Sequence, residues 1–136
     1  ERVLSALDAV DQVLYRSVLA SLKSGAREQA FRDLMILEKS YPDSKRVADG
    51  YFQLALSDYR AARLLEAEQG FAKVLKLDPR PRLRAGALLM TALFLKSRDL
   101  EAARRQFQSI VSQYPTSVEA KRASRELTTP RKRKTL

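Results

Sequence analysis

The chain is 136 residues long, 45% hydrophobic and 31% charged, with only four glycines, a composition that suits one folded helical domain and argues against disorder. It has no Cys and no His, so thiolate chemistry, disulfides, the usual zinc sites and imidazole acid-base catalysis are excluded. The formal net charge of +10 belongs to one half: residues 1–79 hold twelve basic and twelve acidic side chains, residues 80–136 fourteen and four.

Residues 1–10 place Val3, Leu4, Leu7 and Val10 at helical spacing. With no Pro or Gly after them, they read as an N-terminal helical extension that runs into the next segment. The chain opens on Glu1 without a signal-like apolar segment, as a mature or excised piece would, and no run of eighteen apolar residues could cross a membrane. A first hairpin reads over 11–44. Its first helix, about 11–23, carries Val13, Leu14, Val18 and Leu22; Ser24-Gly25 turns the chain; a second helix, about 27–40, points Ala30, Phe31, Leu34 and Leu37 inward. Tyr41-Pro42-Asp43-Ser44 stops that helix and offers Asp43 or Ser44 as the next N-cap.

A second hairpin occupies 45–81, with Lys45-Arg46-Val47 lengthening its first helix, a turn at Ala61-Ala62 and a second helix over about 64–77. Asp78-Pro79-Arg80-Pro81-Arg82 is the stiffest linker, because two prolines fix their own φ and restrict their predecessors. The third hairpin, 82–117, has helices over about 83–96 and 100–113, with Asp99 as N-cap of the latter. Thr116 and Glu119 have capping-box spacing for a last helix over 118–127, polar on its outer face, and residues 128–136 form a basic flexible tail.

These hairpins are copies. Pro42, Pro79 and Pro115 recur 37 and 36 residues apart; Ala30, Ala67 and Ala103 lie twelve before them, Leu34, Phe71 and Phe107 eight before, and Leu37, Val74 and Ile110 five before. A small residue lets antiparallel helices approach closely, the large one four later fills the seam on the same face, and proline ends the helix. The period and the small-then-large pattern resemble the tetratricopeptide repeat. That resemblance implies an all-α, right-handed α-solenoid of three hairpins plus a C-terminal capping helix, in a repeat domain over 11–127.

In such stacks the first helices line a concave groove. Carried onto this sequence, the groove holds Gln12, Tyr15, Leu19, Leu22 and Lys23; Asp49, Phe52, Leu56, Tyr59 and Arg60; Ala85, Leu88, Ala92, Leu95 and Lys96. An apolar floor edged by Lys23, Arg60 and Lys96 suits an amphipathic helix or extended peptide with hydrophobic anchors and acidic residues, and Tyr15, Phe52 and Tyr59 would be its hot spots. The alternative is that some of these apolar residues pack against the N-terminal segment or the cap helix. The carboxylate clamp of chaperone adaptors is absent, since Tyr15, Leu19, Gln53, Ala85 and Leu89 stand at its positions.

Tyr-Pro-Asp-Ser at 41–44, Tyr-Pro-Thr-Ser at 114–117 and Tyr51-Phe52-x-Leu54-Ala55 at the head of the second hairpin resemble the periplasmic tetratricopeptide proteins of the Tol-Pal envelope system. The next closest group is the outer-membrane lipoproteins of the β-barrel assembly machine, which share the Tyr-Pro-x-Ser closers. The resemblance implies a periplasmic, non-enzymatic adaptor that binds envelope proteins and links outer-membrane constriction to cell-wall synthesis during division. A cytoplasmic location is the alternative. It implies protein or peptide partners, with self-association as a further mode.

The basic half supports a second function of another class, binding nucleic acid or an anionic surface through Arg80, Arg82, Arg84, Arg104, Arg105 and the tail residues Arg131, Lys132, Arg133 and Lys134. A solvated, solubilising surface is the plain alternative, and the few aromatics among these charges give base stacking little support. Nothing reads as an active site or a cofactor site. Glu66 and Glu68, two apart, lie on different sides of a helix, and no Gly-rich phosphate loop occurs.

Overall fold

The computed structural model describes residues 2–77 and 79–128, with the backbone alone for 2–9. Every regular element among them is an α-helix: α1 (Arg2–Lys23), α2 (Arg27–Ser40), α3 (Lys45–Arg60), α4 (Leu64–Lys76), α5 (Pro81–Leu95), α6 (Leu100–Gln113) and α7 (Val118–Thr128). The fold is the all-α, tetratricopeptide-like helical repeat that the sequence pattern implies. The helices fall into two compact units, α1–α4 up to Arg80 and α5–α7 from Pro81.

The three repeat columns are the core. Ala30, Ala67, Ala103, Leu34, Phe71, Phe107, Leu37, Val74 and Ile110 are all at most 1% exposed. The six large members are all buried, so truncating one of the two phenylalanines to Ala would cost about 3–5 kcal/mol. In the first unit α1 and α2 close over Val18, α3 lies against both, and α4 packs on α3. The last contact is tight: a Cβ built on Gly70 of α4 would lie 2.8 Å from the Cβ of Ala55 on α3, so Gly70 is what permits Ala at 55.

Two carboxylates are buried in this unit, both tied to other helices. Asp33 of α2 accepts from Ser17 Oγ of α1 at 2.8 Å and from Gln29 at 2.9 Å. Asp58, in the last turn of α3, accepts from Arg27 of α2 through Nε at 2.7 Å and a second guanidinium nitrogen at 3.0 Å, and from Arg63 Nε at 3.1 Å. The C-terminal end of a helix disfavours an anion. The two guanidiniums offset that and the desolvation. Arg63 stands at the N-cap position of α4 with no side-chain cap bond, so Asp58 ties both flanks of the α3–α4 turn.

The second unit closes instead over an apolar cluster of Ala92, Ala103, Phe107, Ile110, Ala120 and Ala123. Leu88, Leu89, Leu93 and Leu95 of α5, with Val111 and Leu127, pack against it. Gln106 of α6 donates to the Leu88 carbonyl at 2.8 Å and also to Thr91 Oγ1 of α5.

Three local expectations need correction. Phe31 points outward and is 36% exposed, because the buried stripe of α2 is completed by Asp33 on its inner side. The first helix of the third hairpin begins at Pro81, two residues early, since a proline at the first helical position lacks only an amide that would have no partner there. The cap of α7 is Ser117, whose Oγ accepts from the Ala120 amide at 3.0 Å; Thr116 is exposed, and no capping box forms. Ser44 and Asp99 do cap, accepting from the Arg46 and Ala102 amides.

Candidate partner-binding surfaces

In the first unit, α1 and α3 lie side by side and bring part of the expected groove together. Tyr15 and Leu19 of α1 and Phe52 and Leu56 of α3 are half-buried, while Lys23, Tyr59 and Arg60 are exposed. Both helices also bury side chains: Val18 on α1, and Val47, Tyr51, Leu54 and Ala55 on α3. Tyr15, Leu19, Phe52 and Leu56 are thus apolar side chains that these helices leave only partly covered.

The polar end of this face is built by Asp11, Ser44, Arg46, Asp49 and Arg80, which line one pocket. Ser44 donates to Asp11 at 2.6 Å, Arg46 lies 3.6 Å from Asp11 and stacks 5.7 Å from the Tyr15 ring centroid, and Arg80 grips both Asp49 oxygens at 3.1 and 3.0 Å. Burial and then the Asp49 charge push the Tyr15 phenol up, against Arg46 and Arg80, so it stays neutral and able to donate at physiological pH. Asp49 is thus occupied by an internal partner. Phe52 meets the core ring of Phe71 edge-on at 5.5 Å, so much of its area is already used.

The third row of the expected groove lies in the second unit. Ala85 and Ala92 are fully buried, and Leu88 and Leu95 pack against the apolar cluster. Lys96 donates to Glu126 of α7 at 2.7 Å, and Arg122 reaches the same carboxylate at 3.1 Å. Here the cap helix, not an open edge, meets the basic residue of the row.

Arg80 belongs to the first unit and is paired with Asp49; Arg104 approaches the Leu127 carbonyl at 3.5 Å; Arg82 and Arg105 are exposed and Arg84 half-buried. Arg131 to Lys134 lie outside the described residues. Among the described residues no group of Asp and Glu converges to hold a metal ion, and no helix is long and apolar enough to cross a membrane.

One surface escaped the sequence reading. Phe31, Met35 and Ile36 of α2 are exposed, with Ala30, Leu34 and Leu37 buried behind them. The signal was present as a surplus: α2 has more apolar residues than one helix face can bury, two of them four apart.

The family model described as YfiO, outer membrane lipoprotein, matches residues 7–133, nearly the whole chain. No curated protein matches the chain.

Proposed function

Because the chain belongs to the YfiO family of outer membrane lipoproteins, we propose that it is a non-enzymatic protein-interaction scaffold at the periplasmic side of the outer membrane. Of the two envelope groups its closing motifs resemble, the family match falls on the outer-membrane lipoproteins, so assembly of outer-membrane components is favoured over a Tol-Pal role in division. The partner is a protein segment held on the α1–α3 face.

The observation that carries this reading is the row of apolar side chains on that face, Tyr15, Leu19 and Leu56 half-buried and Tyr59 exposed, on two helices that lie side by side. Lys23 and Arg60 edge it, which suits apolar anchors accompanied by acidic residues. A photo-crosslinking residue placed at Tyr59 is expected to capture an envelope protein, with capture lost when Leu56→Glu is added. The same residue at exposed Leu100 of the second unit is expected to give no such adduct. Equal capture from both positions, or capture that survives Leu56→Glu, would overturn the proposal.

A further inference from the structure

The first unit carries another recess, on the side of α2 that the repeat pattern leaves outward. One part, about 680 Å³, is lined by Phe31, Arg32, Met35, Ile36, Lys39 and Tyr51, a size usual for ligand-binding recesses at roughly 300–1,000 Å³. A second, narrower part is lined by Phe31 and Tyr51 again, with Leu54 of α3 and Glu66, Gly70 and Lys73 of α4, so the excess of positive charge belongs to the wider part alone. Phe31 and Tyr51 are common to both, so the two parts make one trough between α2 and α4 with α3 beneath.

Its walls are fixed. Tyr51 donates to Glu38 of α2 at 2.6 Å, Lys73 of α4 reaches the same carboxylate at 2.8 Å, and the Lys73 ammonium lies 5.3 Å from the Tyr51 ring centroid. Burial and then Glu38 hold the Tyr51 phenol well above its usual range, so it remains a donor. Phe31 is backed by the Arg27 guanidinium at 5.9 Å, itself anchored on Asp58. The one carboxylate of the wider part, Glu38, is neutralised inside the unit, which leaves Arg32 and Lys39 to set the sign of the field beside Phe31, Met35 and Ile36.

We propose that this trough docks an acidic peptide segment that inserts a bulky apolar side chain between Met35 and Tyr51 and sets carboxylates against Arg32 and Lys39. The charge of the wider part selects that occupant: a second copy of the same face would bring Arg32 and Lys39 against themselves, and a flat bilayer would not reach an apolar floor recessed to Tyr51 and Leu54. This surface is separate from the α1–α3 face and stands or falls without it.

A random peptide library displayed on phage and panned on the whole chain tests it. Enriched peptides are expected to pair Phe, Leu or Trp with flanking Asp or Glu. Their affinity should fall at least about tenfold in Met35→Glu and in Ile36→Glu, both at exposed positions, and less steeply in Lys39→Glu, while Tyr59→Ala leaves it unchanged. Peptides without acidic flanks would overturn the proposal, as would peptides that tolerate Met35→Glu or respond to Tyr59→Ala instead. Met35-dependent self-association, or Met35-dependent sedimentation with phosphatidylglycerol vesicles in place of peptide binding, would also overturn it.

Discussion

In the first unit three carboxylates hold a partner on another helix, Asp33 taking Ser17, Glu38 taking Tyr51 and Lys73, and Asp58 taking Arg27 together with Arg63 at the N-cap of α4, while Asp11 takes Ser44 at the N-cap of α3. In the second unit Glu126 has that role, toward Lys96, while alanines, Phe107 and Ile110 fill the space between the helices. The turns differ as well. At the α1–α2 and α3–α4 turns a residue at positive φ, Gly25 at 81° and Ala62 at 61°, lets the Ala26 and Arg63 amides reach back to the Ser21 and Asp58 carbonyls at 2.7 and 2.8 Å. At the α5–α6 turn Asp99 bonds to Leu95, one residue closer, and no residue there has positive φ. One repeat pattern thus tolerates two ways of joining its helices, ionic ties that depend on charge state and apolar packing that does not.

The largest test of that difference is Asp58→Ala. It leaves Arg27 and Arg63 without their shared anion; because both guanidiniums retain some solvent access, the expected cost is about 2–3 kcal/mol, below that of a fully buried pair. Amide exchange should accelerate through α2–α4 and stay unchanged in α6 and α7. Equal loss of protection in both units would mean that they unfold as one body, and the comparison would fail.

Acid should act next, and through separate groups. Burial alone would raise the Glu38 carboxyl, but Lys73 and Tyr51 together hold it below its usual 4.5; Lys96 foremost, against burial and with Arg122, does the same for Glu126. A depressed carboxylate contributes stability that is present above its unfolded value and lost as pH falls through the folded one. Melting temperature followed from about pH 5 down to about pH 3 should therefore drop, and Glu38→Gln should flatten the part of the drop that amide exchange assigns to the first unit. Glu126→Gln should do so for the second. A profile unchanged by both would remove these pairs as contributors.

The smallest effect separates the turns. Ala62→Gly relieves an L-residue in the left-handed region and should stabilise by about 0.5–1 kcal/mol, the gain being reduced by the greater freedom of glycine in the unfolded chain. Arg98→Gly, at the matching position of the third hairpin, has no such relief and should destabilise. Denaturant midpoints measured side by side decide it.

The helices and their buried columns were legible from the residues alone, because a small residue, a large one four later and a closing proline constrain a hairpin locally, wherever it stands in the chain. Asp99 was legible for the same reason, while the choice of Ser44 over Asp43 and of Ser117 over Thr116 was decided by one residue of register that spacing does not fix. Which apolar stripe faces outward was not local. Phe31 and Leu34 look alike in the sequence, and only the packing of α2 against α1 and α3 buries one and exposes the other. Within each unit, expected groove residues are likewise taken by partners some thirty residues away: Asp49 by Arg80 in the first, Lys96 by Glu126 in the second. Charge pairing at that separation depends on where helices lie in space, so the sequence by itself determined the repeat, and the tertiary structure decided which of its side chains are left for a partner.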